Sequence, residues 1–72
     1  MSSVIDVYIA RIADDRYSVK LIDRFTNDLG EMTQTKLLAY LSVRSLLDVT
    51  PGQVIKDLKV GDQTTVHFQR AL

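Results

Sequence analysis

Two runs of β-branched and aromatic residues stand on either side of a short turn-forming stretch near the start of the sequence. The runs are residues 4–12 and 17–25, and residues 13–16 between them read Ala-Asp-Asp-Arg. β-Branched and aromatic side chains favour strands, whereas aspartates favour turns. The pattern predicts a β-hairpin at residues 4–25, so the rest of the chain must form a structure that covers one face of a sheet.

Two pairings of this hairpin are open to the chain, and they differ by one residue. A loop of odd length gathers an apolar set on one face, namely Ile5, Val7, Ile9, Tyr17, Val19 and Leu21. A two-residue loop at Asp14 and Asp15 instead turns a different set toward that face, namely Tyr8, Ala10 and Ile12. We favour the odd loop, because it leaves the other face to polar residues such as Asp6, Ser18, Lys20 and Arg24.

The residues after the hairpin predict a turn, a helix and a last strand. Residues 26–30 combine turn formers with a glycine and predict a turn, and residues 31–35 leave room for a short extra strand. Residues 34–49 are rich in helix formers, with Thr33 or Thr35 as the N-cap. Thr50 before Pro51 predicts a short helical turn at residues 51–58. The alternation over residues 63–70 predicts a strand with one buried face.

This order of elements predicts a small α+β domain. A β-β-α-β chain forms an antiparallel sheet with one main helix packed on one face. A right-handed crossover from the second strand would place the last strand beside the first. The 72 residues allow one domain, residues 1–72, and the absence of cysteine removes disulfides as a source of stability. Burial against a partner is therefore an expected source of stability.

Composition argues against several classes of function. Nine Lys and Arg balance nine Asp and Glu, so no strong positive field attracts the phosphates of nucleic acids. The longest strongly apolar stretch, residues 37–43, is too short to span a membrane. The first residues also lack the basic and apolar segments of a secretory signal. The expected location is the cytoplasm.

Few residues offer chemistry. His67 is the only histidine, and on the polar face of the last strand it would need a carboxylate from another segment to act in catalysis. The acidic spots at residues 14–15 and 28–31 lack the ligand spacing of a calcium loop. The three glycines are too scattered to form a phosphate-binding loop. We expect no catalytic activity, metal, cofactor or small-molecule substrate.

The predicted helix gives the most specific indication of function. At 100° per residue one stripe is the expected core face, formed by Leu37, Leu38, Leu41 and Val49. A second apolar flank, from Ala39 to Leu47, continues round the other side, and such a helix needs cover on two sides. We expect a protein interface there, most simply in a homodimer, at Tyr40, Val43, Leu46 and Leu47. The alternative is that residues 54–58, with Phe68 or the carboxyl terminus, cover this flank within the monomer.

Two functional hypotheses follow. The first is a small non-catalytic protein-binding accessory domain that acts as an adaptor, regulator or inhibitor. The second is a nucleic-acid-binding regulator, in which basic residues on one face of the hairpin contact phosphates, with Tyr8 as a stacking surface. Those basic residues are Arg11, Lys20 and Arg24.

Overall fold

The computed structural model describes residues 2–71, and the side chains of residues 3–70. Strands β1 (Ser2–Ala13) and β2 (Arg16–Ile22) form the predicted antiparallel hairpin. Val7 pairs with Leu21 and Ile9 with Val19, so the predicted apolar set shares one face, called the inner face below. The favoured pairing is confirmed.

The loop of this hairpin combines both of the expected alternatives. Ala13 pairs with Arg16, which leaves a two-residue turn at Asp14 and Asp15. The register shifts by one residue between Arg11 and Ala13, and this irregularity places one extra residue, Ile12, in β1. Because a one-residue bulge restores the alternation that a two-residue turn would reverse, the apolar set still faces the core.

A third strand, β3 (Thr26–Met32), replaces the turn that was predicted at residues 26–30. That prediction is wrong, since the chain reverses earlier, where the Asp23 N–H donates to the Phe25 carbonyl at 3.1 Å. The turn-forming residues instead make an irregularity within the strand. The Asp28 carboxylate accepts the Gly30 N–H at 2.8 Å, and Gly30 has a φ of 80°, which favours glycine.

The main helix, α1 (Gln34–Ser42), begins as predicted at its N-cap Thr33 but ends well before residue 49. The carbonyls of its last turns find other donors: the Ser42 hydroxyl donates to Leu38 at 2.6 Å, and the Arg44 guanidinium donates to Tyr40 at 2.6 Å. Ser42, Val43 and Ser45 also favour helix weakly, so little opposes this early end. The prediction of one helix over residues 34–49 is therefore wrong at its C-terminal end.

The remaining elements agree with the predicted order. Helix α2 (Pro51–Asp57) begins at its N-cap Thr50, whose hydroxyl accepts the Gln53 N–H at 3.3 Å. Strand β4 (Gln63–Ala71) pairs antiparallel with β1, so the predicted neighbour is correct. The described chain forms one four-stranded antiparallel sheet in the order β3-β2-β1-β4, and the fold is of the α+β class.

Both helices pack on the inner face of the sheet. The core joins buried side chains of the strands, such as Val7, Val19 and Val66, to Leu37 and Leu41 of α1 and to Val54 and Leu58 at α2. The opposite side of the sheet, called the outer face below, is left open in residues 2–71. No helix among these residues is both long enough and apolar enough to cross a membrane.

Candidate protein-binding surfaces

The four residues of the predicted helical interface do not form one surface. Because α1 ends at Ser42, Tyr40 belongs to the helix, Val43 is its C-cap, and Leu46 and Leu47 lie in the segment that follows. Tyr40 and Leu46 pack against the core, whereas Val43 is 81% exposed and Leu47 is 50% exposed. The premise of a single apolar helix flank is therefore wrong, and only two of the four side chains are available to a partner.

The segment after α1 lies along the free edge of β4. Leu46 forms an isolated antiparallel bridge with Phe68, and the Leu47 N–H donates to the His67 carbonyl at 2.9 Å. Leu46, Tyr40, Ile55 and Phe68 all pack against the same core. Tyr40 and Leu46 are thus packed within the monomer, with Phe68 beside them.

Arg44 lies between the aromatic rings of Tyr40 and Phe68. Its guanidinium carbon lies 3.6 Å from the centre of the Tyr40 ring and 5.6 Å from the centre of the Phe68 ring. A guanidinium at such distances is attracted by the faces of aromatic rings, and it is planar enough to stack on them. This contact fixes Tyr40 against its own chain rather than leaving its ring to a partner.

The outer face carries exposed apolar side chains that the prediction of a helical interface did not include. Four of them form a patch over β1 and β2, called the outer strip: Val4, Tyr8, Ala10 and Ile22. Ile22 pairs with Asp6, so it lies diagonally next to Val4 and Tyr8 on the same face. Val4 is 54% exposed and Tyr8 is 37% exposed. A signal was present in the sequence, since β1 is apolar at both its odd and its even positions.

A shallow depression lies beside the outer strip. It has a volume of about 360 Å³ and is lined by Tyr8, Ala10, Ser18, Lys20, Ile22, Thr26 and Gln63. Charged residues surround it: Lys20 pairs with Asp28 across β2 and β3, and Arg16 contacts Glu31 at 3.5 Å. The outer face therefore combines exposed apolar side chains with charges of both signs, and Asp6 lies among the residues of the outer strip.

The three basic residues predicted to contact nucleic acid lie in different places. Arg11 pairs with Tyr17 on the inner face, where its side chain is only 18% exposed, donates to the carbonyls of Leu58 and Asp14 at 2.7 Å each, and lies over the Tyr17 ring. Lys20 lies on the outer face, and Arg24 lies in the turn between β2 and β3. The prediction of one basic face is wrong for Arg11, because the odd positions of β1 face the core.

Two carboxylates from other segments of the chain lie beside the His67 ring, and the sequence alone does not predict which they are. Its Nε2 lies 3.4 Å from Asp6 and its Nδ1 lies 3.6 Å from Asp48. Asp6 comes from the neighbouring strand, and Asp48 comes from the segment along the β4 edge. Both contacts tie that segment and β1 to β4. Among residues 2–71, no group of His, Asp and Glu side chains is arranged to hold a metal ion.

The candidate sites have to be judged from their own residues, because comparisons of this chain with protein-family models, curated proteins and solved structures find no match.

Proposed function

We propose that this protein is a small non-catalytic protein-binding domain, of the adaptor, regulator or inhibitor type, that forms a homodimer through its outer strip. The proposal rests on one observation, the exposed apolar side chains on a sheet face that neither helix covers. A sheet face in water is ordinarily polar at its outward positions. Covering Val4, Tyr8 and Ile22 with a second chain would remove that apolar surface from water.

The charges of the outer face suit a second copy of the same chain. In a two-fold interface the same surface of both copies takes part. A contact between two different residues therefore occurs twice, once in each direction. Lys20 lies on this face together with Asp6 and Asp28, so the lysine of one copy can approach an aspartate of the other. Tyr8 at the centre supplies a large rigid contact of the kind that dominates binding energy in protein interfaces.

The oligomeric state tests this proposal. Size-exclusion chromatography with light scattering should give a dimer for the wild type and a monomer for Tyr8→Glu, because a buried unpaired carboxylate opposes association. The matched control is the double variant Val43→Ser and Leu47→Ser, which removes the exposed apolar side chains of the edge segment and should remain a dimer. Circular dichroism shows whether each variant keeps its fold.

Two results would contradict the proposal in different ways. A wild type that is monomeric at high micromolar concentration rejects self-association. A Tyr8→Glu variant that stays dimeric, while the Val43 and Leu47 variant dissociates, moves the interface from the outer face to the edge segment.

A nucleic-acid-binding regulator is the second candidate, and one observation favours it. Tyr8 pairs with Lys20, so an aromatic ring and a cation lie side by side on the outer face. Arg24 in the next turn could add a second phosphate contact. Titration of a fluorescent single-stranded oligonucleotide against salt tests it, since phosphate contacts strengthen steeply as salt is diluted. Failure to bind at low salt excludes this function, and Lys20→Ala should weaken any binding that occurs.

A further inference from the structure

A groove separates α2 from the amino-terminal half of β4. Its volume is about 420 Å³. Apolar side chains form its floor, among them Val49, Val54, Leu58 and Val66, and three aspartates line its rim, Asp48, Asp57 and Asp62. None of the described residues that line it is a lysine or an arginine. The groove thus offers an apolar floor inside a negatively charged rim.

One wall of the groove is an open strand edge. In an antiparallel strand, the backbone groups of successive residues face alternately toward one neighbour and the other. The His67 carbonyl faces away from β1, because it accepts the Leu47 N–H. By the same alternation, Thr65 and Gln63 also direct their N–H and C=O groups away from β1. Within residues 2–71 these outward groups of Thr65 have no hydrogen-bond partner.

The chain itself shows how this edge can be used. Leu46 and Leu47 already lie against β4 at Phe68 and His67, as a minimal added strand. This segment then leaves the edge at Asp48 and Val49, which line the groove. The same edge is therefore occupied at His67 and open at Thr65 and Gln63.

The rim aspartates keep negative charge available to a ligand. Asp57 accepts a hydrogen bond from the Gln53 side-chain amide at 2.8 Å, and Asp62 accepts one from the Lys59 backbone N–H at 3.2 Å. Both donors are neutral, so neither cancels the charge. Asp48 lies 3.6 Å from the His67 ring and is largely exposed. A cationic ligand is the complement of such a rim.

From these features we infer that the groove binds an extended, basic and apolar segment of a partner protein, which pairs as an added strand with Thr65 and Gln63. The backbone of the segment supplies the hydrogen bonds that the edge lacks, as in other cases of strand addition. Its apolar side chains pack on Val54, Leu58 and Val66, and its lysine or arginine side chains approach Asp57 and Asp62. Thr65 and Gln63 pair with Tyr8 and Ala10 of the outer strip through β1. Their outward backbone groups point away from β1, however, so strand addition uses a different part of β4 and does not require the proposed homodimer.

The probe is a synthetic hexapeptide in which lysine alternates with valine, titrated into the full chain and followed by backbone amide chemical shifts. The largest shifts are expected at residues 63–66 and on α2. The double variant Asp57→Asn and Asp62→Asn should weaken binding roughly tenfold or more and flatten its dependence on salt. Glu31→Gln, on the edge strand β3 at the other side of the sheet, is the matched control and should leave the affinity unchanged.

Two modified peptides separate strand pairing from charge attraction. A peptide in which glutamate replaces lysine should not bind, because it is repelled by the rim. A lysine and valine peptide with alternate backbone amides N-methylated should lose most of its affinity, because it cannot donate to the strand edge. Both peptide comparisons use the wild-type chain, so misfolding of a variant cannot affect them.

Several outcomes would overturn the inference. Shifts centred on residues 26–32 would place the peptide on the β3 edge instead. Equal affinity of the N-methylated and unmodified peptides would leave only non-specific attraction, and no shift at millimolar peptide would reject the site. The titration is repeated with Tyr8→Glu, the variant expected to be monomeric. Unchanged peptide affinity in this variant would show that peptide binding does not require the proposed dimer.

Discussion

At the scale of single residues, Arg11 and Tyr17 join the two layers of the molecule. The Arg11 guanidinium lies 5.5 Å from the centre of the Tyr17 ring and donates to carbonyls at two distant places, Leu58 after α2 and Asp14 in the hairpin turn. Two polar atoms of this pair are buried without a hydrogen-bond partner within the described residues, the Arg11 Nε and the Tyr17 hydroxyl. The pair therefore combines strong contacts with unsatisfied groups.

Arg11→Met should lower the free energy of unfolding by about 2 kcal/mol. The change keeps the apolar stem but removes three hydrogen bonds, to the Leu58 carbonyl, the Asp14 carbonyl and the Asp14 carboxylate. The loss is limited because the buried unpaired Nε is removed as well. Urea denaturation measures this effect. Arg24→Met, in the exposed turn, is the control and should change stability by less than about 0.5 kcal/mol. Equal effects of the two changes would show that Arg11 is not a structural residue.

Tyr17→Phe should raise the free energy of unfolding, by about 1 kcal/mol. Tyr17 is fully buried, and its hydroxyl loses contact with water without gaining a hydrogen bond. Phenylalanine keeps the ring beneath Arg11 and removes the unpaired group. Tyr8→Phe is the control at a protein concentration low enough to keep the chain monomeric, because the partly exposed Tyr8 then keeps its hydroxyl in water. Thermal and urea unfolding of both variants would show whether only the buried position gains stability.

At the scale of elements, local sequence patterns predicted the β1–β2 hairpin, α2 and β4 well, and failed where distant residues decide the structure. The N-caps Thr33 and Thr50 act on backbone groups three residues away, so they can be identified from the sequence. Beyond the end of α1, the chain bridges at Leu46 to Phe68, whose ring lies near the Arg44 guanidinium that stacks on Tyr40. No local pattern shows that contact.

Strand β3 illustrates the same limit. Asn27, Asp28 and Gly30 have the composition of a turn, yet they pair with β2 because the edge of that strand is available to them. The outer strip was missed for a related reason. The apolar odd positions of β1 lie in the core as predicted, whereas the even positions, predicted to be polar, include Val4 and Tyr8.

Gly30→Ala should destabilise the protein by about 1–2 kcal/mol, because alanine at a φ of 80° is strained even where space is open. Gly52→Ala offers a matched comparison within α2, where φ lies outside the positive range and a Cβ atom meets no neighbour within 4 Å. It should stabilise by about 0.4–1 kcal/mol. Opposite signs in chemical denaturation are the expected result, and the same sign for both changes would contradict the role given to Gly30.

In the molecule as a whole, the helices formed by residues 2–71 cover one side of a four-stranded sheet, and these residues leave the other side to solvent or to a partner. Without disulfides, a core of this size gives limited stability. Association and folding should therefore be linked, since a dimer stabilises the folded state by mass action.

The melting temperature of the wild type should rise with protein concentration, whereas that of Tyr8→Glu should not. Differential scanning calorimetry over a hundredfold range of concentration measures this difference. The double variant of Val43 and Leu47 should behave as the wild type does. A melting temperature of the wild type that does not change with concentration would contradict the proposed homodimer, whatever the behaviour of the peptide groove.

The place of β1 between β2 and β4 has a consequence for how the protein is made. β1 is synthesised before both of its neighbours, and one of them comes from residues 63–71. Until those residues leave the ribosome, the nascent chain carries a long apolar strand with an unpaired edge. Closing this distant pair costs chain entropy before any contact repays it, so completion of the sheet is expected to be slow. During that interval the emerging protein is the species most exposed to aggregation and to chaperones.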